Sequence, residues 1–202
     1  MGEPSTREGP DRGQISPLGN TAGLMAARRR LPDYIRPGLR ILFVGINPGL
    51  RSAAVGHHFA GHSNRFWKLL AESRLVPEPL SYREDSRLPE FGLGLTNIVS
   101  RPSRGIDSLR PKDYQDGRKA LIAKVKKSKP RIVALLGVTI YRALFATVLG
   151  KQPRRIPLGL APTRLAGIPV FVLSNPSGRN AHVSYMAMRR AFCRLERMTR
   201  PN

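Results

Sequence analysis

The apolar run Ile41-Leu42-Phe43-Val44 ends abruptly in Gly45-Ile46-Asn47-Pro48-Gly49-Leu50, and this junction constrains the chain more than any other stretch. β-Branched and aromatic residues closed off by Gly and Pro read as a buried strand that stops at a sheet edge and presents its next residues there. Asn47 then stands at a strand's carboxyl end, the rim at which open α/β sheets bind ligands. The same letters also suit an ordinary β-turn, because Asn-Pro and Pro-Gly pairs favour turns. A functional role for Asn47 therefore needs support from elsewhere in the chain.

That support comes from the order of elements. Residues 1–36 are rich in Gly, Pro, Ser and Arg without an apolar period and read as a basic, mostly disordered tail, with Arg28-Arg29-Arg30 free to touch phosphates. A single domain is expected over 37–202. Its first strand runs from Arg40 to Ile46, and a long glycine-punctuated loop from Asn47 to His62 follows. Ser63 is placed to cap a helix over Asn64–Ser73, and proline-broken turns are expected from Arg74 to Phe91. Gly92–Val99 reads as a second strand, Ser100–Pro111 as a second rim loop, and Lys112–Lys129 as a helix that Pro130 stops. The run Arg131–Gly137 is the clearest buried strand, unbroken in hydrophobicity as a central parallel strand should be.

Tyr141, Leu144, Phe145, Val148 and Leu149 trace one face of a helix, and a basic loop through Lys151, Arg154, Arg155 and Arg164 follows it. Ile168–Leu173 gives a last strand, ending in a second Asn-Pro turn at Asn175-Pro176, and a helix from about Val183 to Met198 closes the chain. Strands alternating with helices predict a three-layer α/β/α sandwich around a mainly parallel sheet of four or five strands. Both Asn-Pro turns then lie on one rim.

The 35 Lys and Arg against 13 Asp and Glu leave a net charge of +22. Such an excess attracts polyanions, so DNA or RNA is the expected partner. One cysteine, Cys193, excludes an internal disulfide framework and a cysteine-ligated zinc site, and points to a reducing compartment. The longest apolar stretch, Ile132 to Leu149, is interrupted by Gly137 and Arg142 and reads as strand then helix, not as a membrane span. A monomer is expected, in the cytoplasm and on the nucleoid if the source is bacterial. His57, His58 and His62 sit close together, but their spacing, without a neighbouring carboxylate or thiol, suggests solvated or phosphate-facing side chains and no metal site.

Five motifs occur in order: Gly45-Ile46-Asn47-Pro48-Gly49-Leu50, Phe59-Ala60, Asn64-Arg65-Phe66-Trp67-Lys68, Gly94-Leu95-Thr96-Asn97-Ile98-Val99 and Asn175-Pro176-Ser177-Gly178. Together they closely resemble the mismatch-specific uracil/thymine DNA glycosylases, over the chain from about Pro37 to Leu195. The resemblance implies a uracil-DNA glycosylase-like fold. It also implies cofactor-free hydrolysis of the N-glycosidic bond of uracil, or of thymine and other damaged bases, in G·U and G·T mismatched double-stranded DNA, by flipping the base out.

By the same resemblance Asn47 is the catalytic residue that positions the attacking water. Ile46, Gly49, Phe59 and Asn97 bind the base, with Phe59 stacking on it. Ser52, Asn175, Ser177, Gly178, Arg179 and Asn180 contact DNA. Arg179 departs from the family pattern, which often has Leu there, and reads either as an inserted wedge or as a phosphate contact. A non-catalytic nucleic-acid-binding module on the same fold is the alternative.

Overall fold

The computed structural model describes residues 30–145, 156 and 158–200. Five strands form one sheet in the order β2-β1-β3-β5-β4: β1 (Ile41–Gly45), β2 (Leu93–Asn97), β3 (Ile132–Leu136), β4 (Gly159–Leu165) and β5 (Ile168–Leu173). The pairs β1–β2, β1–β3 and β3–β5 are parallel, and β4–β5 is antiparallel. β1, β2 and β3 are buried along their whole length, because helices cover both faces of a parallel sheet.

Alternation of side chains divides the core between those faces. Ile41, Phe43, Leu93, Leu95, Ala134 and Phe171 point to one side. There they meet α2 (Phe66–Glu72) through Phe66, Leu69 and Leu70, and α5 (Tyr185–Thr199) through Met188, Phe192 and Leu195. Leu42, Val44, Val133, Leu135 and Val172 point to the other side. They pack on α3 (Pro111–Ser128) through Leu121 and Val125, and on α4 (Val138–Phe145) through Ile140, Tyr141 and Leu144. The result is the expected three-layer α/β/α sandwich. No helix among the described residues is long and apolar enough to cross a membrane.

Several local expectations need correction. Residues 30–36, placed in the tail by composition, pack on the domain. Tyr34 pairs antiparallel with Leu95, and the Asp33 carboxylate accepts from Thr96 Oγ1 at 2.5 Å and meets Lys124 Nζ at 2.7 Å. Arg28 and Arg29 lie outside the described residues. The long loop after β1 contains a six-residue helix, α1 (Leu50–Val55), which Gly56 ends in a left-handed conformation; a helix that short shows no apolar period.

At α2 it is Asn64, not Ser63, that serves the helix start, its Oδ1 accepting the Phe66 N–H at 3.0 Å. The segment expected as turns holds a 3-10 helix over Tyr82–Phe91, begun by a reciprocal Ser81–Glu84 capping box. β4 was hidden in what composition marks as a basic loop: Arg164 and Pro162 belong to it, tolerated because it is an edge strand. α4 begins earlier than the apolar stripe suggests, at Val138. Val148, Leu149, Lys151, Arg154 and Arg155 fall outside the described residues.

Candidate active site

The carboxyl ends of four parallel strands converge on one cavity of about 320 Å³. β1 supplies Gly45 and, just beyond it, Ile46 and Asn47; β2 supplies Asn97, β3 Leu136, and the turn after β5 supplies Asn175 and Ser177. β1 is the strand at which the sheet order reverses, with β2 on one side and β3 on the other. A crevice at such a switch point is the ligand site of open α/β sheets.

Asn47 is half-buried and its carboxamide is fixed through nitrogen. Nδ2 donates to the Ser103 hydroxyl at 2.9 Å and to the Pro48 carbonyl at 3.0 Å, with the Arg101 carbonyl at 3.4 Å. All three partners are acceptors, which settles the orientation of the amide. Its oxygen accepts no hydrogen bond among the described residues.

Phe59 forms another wall. Its φ of 52° lies in the left-handed region, which a bulky side chain rarely adopts. Its ring leans on Phe66 at 4.3 Å between centroids. The flanking residue Ala60 is tied at both backbone groups: its N–H donates to Ser52 Oγ at 3.0 Å, and its carbonyl accepts from Arg51 Nε at 2.8 Å. Ser52 is thus buried and occupied in holding the Phe59 loop, which revises the phosphate contact expected of it. The N–H groups of Asn47 and Phe59 donate to no acceptor among the described residues; both residues line the cavity.

Asn97 is 9% exposed and lies directly over Gly45, where a Cβ would overlap its Oδ1. Ile46 is buried, and its carbonyl accepts the Val99 N–H at 2.8 Å. Gly49 is exposed at the cavity edge, in a bridge with Ser103.

The turn after β5 is shaped internally. Asn175 Oδ1 accepts the Ser177 N–H at 3.0 Å, and Asn180 Nδ2 donates to the Asn175 carbonyl at 2.9 Å. Gly178 sits so close to Ser63 that a Cβ would overlap it, and the Arg65 N–H donates to the Pro176 carbonyl at 3.0 Å. Gly178 and Asn180 therefore shape the turn, while Asn175, Ser177 and Arg179 face the cavity. Arg179 is exposed and reaches across the mouth, donating from Nη2 to the Arg104 carbonyl at 3.0 Å.

The histidines are not as the sequence suggested. His58 is 1% exposed, lines the cavity, and hydrogen-bonds through Nε2 to the Pro32 carbonyl at 2.8 Å. Burial lowers its pKa, opposed by that hydrogen bond and by the charges of Asp85 and Asp33, and reinforced by His57. His57 Nδ1 meets the Asp85 carboxylate at 3.0 Å, and His62 is exposed. No group of three or more His, Cys, Asp and Glu side chains suited to a metal comes together among the described residues. Ser103 and Asp85 carry no local pattern to flag them, and the buried position of His58 depends on partners as far off as Pro32 and Asp85.

The description "Uracil DNA glycosylase superfamily" matches residues 32–196. The chain belongs to the uracil DNA glycosylase superfamily. Its superfamily match starts at 32, in keeping with the docking of Asp33 and Tyr34 on β2. A curated relative, the G/U mismatch-specific uracil DNA glycosylase of Schizosaccharomyces pombe, is 38% identical over 158 residues, covering 76% of this chain and 49% of that protein. The chain thus spans about half the length of that relative. Among solved structures, the solution NMR structure of a candidate uracil DNA glycosylase from Methanosarcina acetivorans shares the fold, with a TM-score of 0.52 at 19% identity over 84% of this chain and 98% of that one.

Proposed function

We propose that this protein is a monofunctional, mismatch-specific uracil-DNA glycosylase. It would act as a monomer on double-stranded DNA, flipping uracil from a G·U pair and hydrolysing its N-glycosidic bond to leave an abasic site. The observation that carries the reading is the clamping of Asn47 through its nitrogen, which leaves its oxygen to orient a water in a base-sized cavity walled by Phe59.

The chemistry follows from what lines the cavity. A neutral amide oxygen accepts a hydrogen bond from water and aims it, but it does not take the proton as a carboxylate would. Among the described residues neither Asp nor Glu lines the cavity. The reaction then depends on departure of the base. Water oxygen bonds to C1′ as the C1′–N1 bond breaks, and the electron pair leaves on uracil as an anion. The unpartnered N–H groups of Asn47 and Phe59 stabilise that charge, and the proton that the attacking water sheds as it becomes the C1′ hydroxyl passes through solvent to the departed base. Among the described residues no lysine lines the cavity, which favours water over an amine as the nucleophile.

Phe59 offers its ring to the base, a contact worth about 1–3 kcal/mol. Asn97 supplies donor and acceptor to the base edge. Arg51, Arg104 and Arg179 at the cavity, with the overall charge of +22, draw in the phosphate backbone. Arg179, exposed at the mouth, would leave the Arg104 carbonyl to enter the vacated stack or to contact a phosphate.

Release of uracil from a G·U oligonucleotide, read as alkali-labile abasic sites, tests the assignment. Asn47→Ala should cut the rate by about 10²–10³-fold, the range for losing a positioned polar group in the transition state, with binding to abasic duplex retained. A wild-type protein that binds duplex but releases no uracil, thymine or hypoxanthine would be a binding module.

A further inference from the structure

Asp85 is the most deeply buried charge in the described structure, at 0% exposure, and the chemistry above does not use it. A carboxylate taken out of water costs several kcal/mol unless its oxygens are fully hydrogen-bonded. Its oxygens turn to the loop that carries Phe59. Oδ2 accepts the His58 N–H at 2.7 Å, and Oδ1 faces His57 Nδ1 at 3.0 Å, which must carry the proton because a carboxylate only accepts. The Tyr34 phenol lies against the same carboxylate; burial, then the Asp85 charge and a hydrogen bond to it, push it up to about 12.

His58 is gripped at two further points, and the far side of Phe59 at a third. Its carbonyl accepts from Trp67 Nε1 at 3.3 Å, its ring bonds Pro32, and Ala60 beyond Phe59 is tied to Ser52. Between these ties sits Phe59, at a φ of 52°. A bulky residue stays in that region only where its surroundings over-determine it. The bond from His58 N–H is one of the ties on the amino side of Phe59, and it is the short, charge-assisted one.

We propose that Asp85 is a positioning residue for the base platform, holding the His57–His58 backbone so that Phe59 keeps its left-handed conformation over the cavity. The proposal rests on the glycosylase reading for its kinetic consequence, and on backbone geometry alone for its structural one. The 3-10 helix that carries Asp85 lies in a segment with no other member at the site, so a residue 26 positions from Phe59 acts on the chemistry through one backbone N–H.

Asp85→Asn keeps the shape but removes the charge and one acceptor oxygen, so the His58 N–H is left with at best a neutral acceptor and only if His57 changes tautomer to accept from the new amide. Single-turnover uracil release should slow about tenfold or more, while affinity for abasic duplex changes less than about twofold. In a Phe59→Ala background the same substitution should add nothing, because the platform it holds is gone. In parallel, the Cα chemical shift and backbone coupling of Phe59 in solution should leave left-handed values in Asp85→Asn.

Should Asp85→Asn not melt cooperatively, Tyr34→Phe removes the phenol that lies against the same carboxylate and should give the same signature, reduced. Losses that multiply with Phe59→Ala, or a Phe59 backbone unmoved in both variants, would overturn the proposal. Absence of base release from the wild type would instead overturn the glycosylase reading, and the Phe59 shifts would still decide the role of Asp85.

Discussion

The carboxamide nitrogen of Asn47 and the hydroxyl of Ser103 are 2.9 Å apart across 56 residues of sequence, and that hydroxyl passes its own proton to the Gly105 carbonyl at 2.6 Å. The relay leaves the Ser103 oxygen as acceptor for Asn47 and so selects the amide orientation that turns Oδ1 to the cavity. Ser103→Ala removes the acceptor and changes the cavity wall by one hydroxyl only. Its rate of uracil release should fall about 3- to 10-fold, as expected for one hydrogen bond worth roughly 1 kcal/mol, with abasic-duplex affinity unchanged. Single-turnover kinetics beside a binding titration would check this.

Gly45 has no side chain because Asn97 occupies the space. Gly45→Ala would push the carboxamide of Asn97 aside, while the Phe59 ring stays in ordinary contact. The obstructing atom is the far end of a side chain, so stability should fall by less than about 1 kcal/mol, or under about 4 °C in Tm for a domain of this size. Uracil release should drop far more than stability does. Thermal melts paired with the abasic-site assay distinguish the two effects.

Gly178 meets the backbone of Ser63 as well as its side chain, so the obstruction there cannot swing away. Gly178→Ala should unseat the turn that carries Arg179, at a cost of about 1–3 kcal/mol typical of overpacking. Affinity for duplex containing an abasic site should weaken about tenfold, while release of uracil from a short single strand changes less. An electrophoretic titration on both substrates provides the comparison.

His58 predicts how stability depends on pH. Its pKa is lowered in the fold, chiefly by burial, so the unfolded chain binds a proton near pH 6.5 that the folded chain does not. The stability it contributes is present above pH 6.5 and is lost as pH falls through the depressed folded value. Asp113, Glu84 and Glu196, whose carboxyls are held below the usual range by hydrogen bonds and arginines, contribute stability that is present throughout this window and is lost only at lower pH. Tm should therefore decline between about pH 6.5 and 5 in the wild type, and decline less in His58→Gln. Melts across that window would show it.

Composition alone misplaced the boundary of the tail. Asp33 and Tyr34 sit in a polar, glycine- and proline-rich context, yet Asp33 finds Lys124 and Thr96, and Tyr34 finds the backbone of Leu95. Those partners are distant in sequence, so no local period announces them. β4 was missed for the related reason that an edge strand can carry Pro162 and Arg164 without breaking the ladder of its neighbour.

The sequence by itself determined the layers and the rim. Unbroken apolar runs at Ile41–Val44, Ile132–Leu136 and Val170–Leu173 can only be strands covered on both faces, and the Gly- and Asn-Pro-marked junctions after them set Asn47 and Asn175 at one sheet edge. Only the tertiary structure decided which atoms of that rim are available. Ser52 is consumed in holding Ala60, Ser103 is recruited to turn Asn47, and Asp85 grips His58 from another element. The physical reason is that burial pattern is written in local periodicity, whereas the partner of a buried polar atom is fixed by where separate loops meet, and no spacing along the chain records that.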